Sequence, residues 1–460
     1  MQFDSYIYAL FLPIVFIVYW LLSRKITLQN IFLLIASYTF YGWWNWKFLG
    51  LIAFTSATTF LSGLWIARAK HSSAKWLLWG NVSVNLAILV IFKYLNFFKD
   101  SMGDVLKLFG FNPDWPTLQI LLPVGLSFYT FQAISYSIDV YRKEIPPTTN
   151  VVAFFVYMSF FPQLVAGPIE RARNLLPQFL VTKRFDYGNA VVGMRQILWG
   201  LAKKIVIADS LAGIVDYIFY HPSVMSPVSI AIGCMVFTVE LYADFSAYSD
   251  IAIGSARLLN IKLSRNFRYP FFATTYRDFW RRWHITLMEW FKQYVYIPLG
   301  GSRHGHHRTI ANVMIVFLLS GLWHGANYTF IIWGIANGVL VIAASKRECY
   351  TGLTKLCRCM MTFLLFAATM VIFRSNNISH LAECLSTFTN GNIALRPYGI
   401  SAFLYIIPFM AIEWIGRKQD FAIEHPNMPL AMRWLIYWAL LGAIAYFSMG
   451  KNIQYIYFQF

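Results

Sequence analysis

The constraint that most limits how this chain can fold is its succession of apolar runs, each near twenty residues long. They lie at about 6–22, 28–45, 48–67, 76–97 and 120–138, and again near 358–373, 398–416 and 433–449. About twenty apolar residues in a helix cross the ~30 Å hydrocarbon core of a bilayer. Inside that core the backbone must satisfy its own polar groups, so only helices or closed barrels span it, and these runs are far longer than the alternating segments of a barrel. The expected class is an all-α polytopic membrane protein. Its charged content, 13%, is about half that of soluble domains. The formal charge of +18 sits mostly in short Lys/Arg clusters between apolar runs, which is the positive-inside pattern and argues against a nucleic-acid partner.

Arg24-Lys25, then Arg68, Lys70 and Lys75, then Arg142-Lys143 fall on alternate connections, while the loop at 98–118 mixes lysines with Asp100, Asp104 and Asp114. This spacing predicts an N-terminus on the outer side. Arg417-Lys418 and Arg433 flank the last connection, so the final helix is expected to run outward and leave the tail Lys451–Phe460 outside. The run Tyr6–Leu22 follows Asp4 rather than a basic stretch, and reads as a retained helix rather than a cleaved signal. The cysteines Cys234, Cys349, Cys357, Cys359 and Cys384 show no CxxC pairing and read as small packing residues. A single integral membrane domain over 1–460 is expected, with N-terminal helices at 1–118, a core at 119–347, and C-terminal helices and tail at 348–460.

Between 149 and 346 the pattern is interrupted by Gly167-Pro168, Lys203-Lys204, Asp244, Asp250 and a long polar-aromatic segment. Broken helices at membrane depth persist only where they are buried in protein or line a wet cavity, which places the functional site here. His324 lies in Ser320-Gly321-Leu322-Trp323-His324-Gly325-Ala326-Asn327. A helix from Arg308 would carry it about 24 Å into the membrane. An imidazole at that depth is either a hydrogen-bonded core histidine or a base that takes a proton from a hydroxyl and returns it to a leaving thiolate.

In the segment 265–308, Trp280, Trp283, Leu287, Trp290 and Tyr294 recur at spacings of three and four, as on one helix face. Arg277, Arg281, Arg282 and Lys292 surround that face. They are either snorkelling anchors facing anionic lipid or contacts for the phosphates of a nucleotide-containing donor. His284 is either a second polar group of the reaction chamber or an orienting partner. The cluster His304, His306 and His307 lacks carboxylate or thiolate neighbours and reads as a solvated loop, with no metal site expected. Glu240, Tyr242, Asp244, Ser246, Tyr248, Ser249 and Asp250 gather in an apolar stretch. Asp244 and Asp250 are expected to pair with arginines of 265–282, or else to line a glycan-accepting cavity.

Several of these segments, taken in order, resemble a known family. Phe279-Trp280-Arg281-Arg282-Trp283-His284, Tyr296-Ile297-Pro298-Leu299-Gly300-Gly301 and Gly321-Leu322-Trp323-His324-Gly325 look like motifs of the membrane-bound O-acyltransferase superfamily. Leu122-Pro123-Val124-Gly125-Leu126-Ser127-Phe128 and Gln163-Leu164-Val165-Ala166-Gly167-Pro168-Ile169 resemble its bacterial branch, which handles alginate O-acetylation, peptidoglycan O-acetylation and teichoic-acid D-alanylation. The resemblance spans nearly the whole chain. It implies a ring of about 11–12 transmembrane helices, with re-entrant or interfacial helices, around a central tunnel. His324 matches the catalytic histidine and His284 the second motif histidine. Arg277, Arg281, Arg282 and Trp283 become candidates for holding the donor. That donor would be a cytoplasmic thioester, most simply acetyl-CoA, with no tightly bound cofactor. The acyl group would leave on the outer face of a bacterial inner membrane, toward a glycan acceptor and through a separate SGNH-type transferase.

The tail Tyr455-Ile456-Tyr457-Phe458-Gln459-Phe460 is similar to the F-x-Y-x-x-F end of a small partner peptide in the teichoic-acid branch, with Tyr455 in place of the first Phe. Tyr457 is therefore either an acyl relay or an interfacial aromatic anchor. Because this motif is fused to the chain, O-acetylation of an alginate-like polysaccharide or of peptidoglycan is preferred over D-alanylation. A transporter or flippase is the competing class, but its inverted repeats are not seen.

Overall fold

The computed structural model describes residues 1–111, 115, 121–345, 350–390, 398–424, 428–449 and 454–456. Among the described residues the chain is helical, with no strand. Five helices among the described residues are long and apolar enough to cross a membrane: Trp46–Arg68, His71–Leu108, Pro227–Leu258, Gly352–Arg374 and Leu430–Phe447. Tyr6–Leu21, Tyr328–Ala343 and Ile400–Gly416 are shorter apolar helices. The chain is an all-α polytopic membrane protein. It divides into two compact units, Met1–Asp186 with Leu259–Leu263, and Tyr187–Leu258 with Ser264–Phe460.

In the first unit, helix Val151–Ser159 ends and the chain turns through 160–171, so the interruption at Gly167-Pro168 is a real break. Gln163 stabilises it by donating to the Tyr157 carbonyl at 3.1 Å. Gly125 sits at φ +78, and a Cβ there would lie 2.6 Å from the Leu164 carbonyl oxygen. The Leu122–Phe128 and Gln163–Ile169 motifs therefore meet backbone to backbone, and only glycine permits that approach. Arg171 is buried against Asp139 at 3.4 Å and Glu144 at 3.3 Å.

The second unit is built on the 32-residue helix Pro227–Leu258. It packs on Tyr187–Ala202 so closely that a Cβ on Gly254 would stand 2.6 Å from the Gly193 carbonyl oxygen, as small residues allow in membrane bundles. Two expectations are corrected here. Asp244 and Asp250 do not interrupt the long helix, and their partners are lysines rather than arginines of 265–282. Lys204 bonds Asp244 at 2.9 Å and Asp209 at 2.8 Å, and Lys203 bonds Asp250 at 2.6 Å. Neutralised sideways by the facing helix, the carboxylates leave the backbone ladder intact. The interruption at Lys203-Lys204 is local, a π-helical stretch over Lys203–Ala208 that widens the helix where both ammonium groups turn inward. The second correction concerns the aromatic face at 280–294. It is carried by two short helices, Tyr276–Arg282 and Ile285–Phe291, followed by a π turn at Lys292–Tyr296. All five of its residues are buried.

Candidate active site

The break between the two short helices is made at His284, whose backbone is left-handed at φ +44. Such a conformation costs energy in a non-glycine residue and persists only where its surroundings enforce it. Two main-chain bonds do so: Arg268 N–H to the Arg282 carbonyl at 2.9 Å, and Ile285 N–H to the Asn266 carbonyl at 2.8 Å.

Asn266, fully buried, also grips the histidine side chain. Its Nδ2 donates to Ser249 Oγ at 3.2 Å, and its Oδ1 accepts the Thr286 hydroxyl at 3.0 Å. The His284 Nδ1 contact to that same Oδ1, at 3.0 Å, must then be a donation. The network assigns the Nδ1–H tautomer, which leaves the lone pair on Nε2. His284 lies outside the membrane-spanning helices. Burial, reinforced by the neighbouring His324, holds it well below the usual histidine range. It is a neutral imidazole with a fixed tautomer.

His324 ends the helix Gly305–His324, which stops at Gly325; Asn327 Oδ1 then caps the next helix by accepting Thr329 N–H at 3.1 Å. The His324 ring is buried and stands edge to face with Trp323 at 4.9 Å, Trp333 at 5.2 Å and Phe373 at 5.2 Å. Trp323 in turn lies 5.8 Å from the His284 ring. The structure thus brings the two imidazoles into contact with one indole, with His324 in an aromatic box that shields it from bulk water.

The other predicted residues are placed differently. Arg277 donates to the carbonyls of Val341 at 2.9 Å and Ile342 at 3.2 Å, closing the end of helix Tyr328–Ala343. Arg282 pairs with Asp278 at 2.8 Å, and Trp283 is packed among Phe267, Phe279 and Phe366. Arg281 is exposed, as are His304, His306 and His307. Tyr457 lies outside the described residues. Tyr455, in the tail, is buried against Lys204 and Tyr248.

A small polar cleft of about 20 Å³ reaches Asn266 and Phe267 from the side of Arg265 and Asp420, and is lined also by Lys203, Asp250 and Glu413. That volume holds a water molecule and little else. Glu413, which accepts the Tyr242 hydroxyl at 2.6 Å, and Asn266 were not anticipated. A lone carboxylate in the apolar run 398–416 is a signal for the first. Nothing local distinguishes Asn266.

Comparison with known proteins identifies the family. The profile of the membrane-bound O-acyltransferase family matches residues 142–412. The chain is 36% identical to a probable alginate O-acetylase of Pseudomonas putida, over 93% of this chain and 90% of the relative. It is 40% identical to a probable alginate O-acetylase of Azotobacter vinelandii, over 82% and 76%. To the peptidoglycan O-acetyltransferase of Helicobacter pylori it is 33% identical, over 91% and 84%. With two buried motif histidines inside the matched region, the chain belongs to the membrane-bound O-acyltransferase family and is a multi-pass membrane O-acyltransferase.

Proposed function

We propose that the protein moves an acetyl group from a cytoplasmic thioester donor, most simply acetyl-CoA, for O-acetylation of a cell-surface polysaccharide, either an alginate-like polymer or peptidoglycan. The observation that carries this reading is the pair of buried imidazoles in contact with Trp323. The relatives that support the acetyl group and the glycan act on alginate and peptidoglycan, as their names state.

His324 acts as the base in this scheme. The acceptor hydroxyl oxygen attacks the thioester carbonyl while His324 takes its proton; the C–O bond forms, the C–S bond breaks, and the same proton passes to the leaving thiolate. His284, neutral and oriented by Asn266, holds the reacting groups in register. Tyr457 is the first acceptor, relaying the acyl group to an SGNH-type transferase on the outer face of a bacterial inner membrane. Both the N-terminus and the tail lie on that face. Arg281, exposed at the surface, is the contact for donor phosphates in this scheme.

Purified protein supplied with isotope-labelled acetyl-CoA tests the scheme. The expected result is a labelled acyl ester on the protein that Tyr457→Phe abolishes and that alginate or peptidoglycan fragments discharge in the presence of the partner. Undiminished glycan acetylation by Tyr457→Phe would retire the relay, and transfer from no thioester at all would retire the donor assignment.

A further inference from the structure

Three contacts tie the end of the chain to the interior of the second unit. Asp244, only 2% exposed, uses its two carboxylate oxygens differently: Oδ1 accepts the Lys204 ammonium at 2.9 Å, and Oδ2 accepts the Ile456 main-chain N–H at 2.8 Å. The Lys204 ammonium stands 4.2 Å from the centroid of the Tyr455 ring. That ring meets Tyr248 edge to face at 5.2 Å. Lys204 and Tyr455 are each 1% exposed.

We propose that the buried Lys204–Asp244 pair is a docking site for the chain's own C-terminal peptide. Tyr455 is the anchor, and Lys204, Asp244 and Tyr248 are positioning residues for the acyl transfer. The charge arrangement favours this occupant. Lys204 is shared between Asp209 and Asp244, so one ammonium serves two carboxylates, and the second oxygen of Asp244 takes the Ile456 main-chain N–H. A main-chain amide donates without adding charge. The Tyr455 ring meanwhile places its electron-rich face over an ammonium removed from water.

An interfacial aromatic would put its ring at the headgroup level instead. Irregular backbone at this depth is tolerated only when buried in protein, as residues 455 and 456 are. Chain reach is at most about 3.5 Å per residue, so an anchor at 455–456 restricts how far the last residues can range. The functional consequence rests on the reading of Tyr457 as relay; the docking itself does not.

The test uses the full-length protein in detergent and alters only the tail, so that the helices cannot be blamed. Maleimide labelling of Ile456→Cys is followed site-specifically by mass spectrometry. Labelling is expected to be slow in that protein, and at least about tenfold faster when Tyr455→Ala is added, because local opening then becomes frequent. Tyr455→Phe keeps the ring and is expected to retain the slow rate. Ile456→Pro removes the donated N–H and also restricts the backbone at 455–456, and is expected to lower kcat while leaving KM for the thioester unchanged. Fast labelling with Tyr455 present, or a rate that Tyr455→Ala does not alter, would overturn the docking. Accelerated labelling together with a fully active Tyr457→Phe would uphold the docking and discard the relay. Slow labelling insensitive to Tyr455 with an inactive Tyr457→Phe would do the reverse.

Discussion

Replacing Asn266 separates the two contributions this account assigns to it, holding the backbone at His284 and fixing its tautomer. In Asn266→Ala the main-chain bond to Ile285 is retained, but the partners of Oδ1 and Nδ2 are lost. The hydroxyls of Thr286 and Ser249 can rotate toward other acceptors; the His284 Nδ1–H cannot. A buried donor left without its acceptor costs about 1–3 kcal/mol, and truncation of a fully buried side chain adds roughly 1 more, so a destabilisation of about 2–4 kcal/mol is expected. Misplacing a reacting group by about an ångström costs on the order of a hundredfold in rate, and the variant should lose acetyl transfer to that extent at unchanged His324. Asn266→Asp supplies the contrast. It keeps an acceptor 3.0 Å from Nδ1 and lets Ser249 donate in return, so most of the stability should return. It also sets a negative charge beside a ring that burial now holds neutral, which raises the His284 pKa. The parent should show no acid limb from His284 near neutrality, whereas in Asn266→Asp the loss of activity from His284 protonation should move to higher pH than in the parent. Thermal melting in detergent and acetyl transfer from a labelled thioester, followed from pH 5 to 9, measure both effects. Parent-like melting and turnover in Asn266→Ala would refute the reasoning.

Removing one member of a buried ion pair strands the other, so Lys204→Met should destabilise the protein by about 3–5 kcal/mol, seen as lost monodisperse protein in detergent. Arg277→Ala should lower the melting temperature, because it uncaps helix Tyr328–Ala343, while leaving KM for the thioester unchanged; Arg281→Ala should raise that KM, and steady-state kinetics separate them. His284 is held neutral in the fold, whereas in the unfolded chain it takes up a proton below its ordinary pKa of about 6.5. Stability should therefore fall as pH drops below about 6.5, and a melting series from pH 8 to 5 should show that slope reduced in His284→Gln.

Much of the helical frame was legible, because twenty apolar residues bounded by arginines or glycines leave little freedom. The helix ending at His324 is the clearest case: the run after Arg308 and the glycine at 325 mark its two ends. The aromatic face at 280–294 misled, since a spacing of three and four survives a sharp turn at His284 unchanged, and left-handed backbone has no signature in a histidine. The partners of Asp244 and Asp250 were missed for another reason. Lys203-Lys204 looks like a helix interruption in sequence, and only packing reveals that a π turn aims both ammonium groups at the facing helix. Asn266 and the burial of Tyr455 depend on contacts far along the chain, and Tyr455 has the same side chain whether it sits at a lipid surface or over a buried lysine.

The sharpest measurement is single-turnover acetyl transfer by His324→Ala, at matched protein level and unchanged melting temperature, using labelled acetyl thioester. Loss of a general base should slow the chemical step by about 10²–10⁴-fold while leaving donor binding intact. Transfer at the parent rate would mean that the imidazole inside the aromatic box takes no part in the reaction.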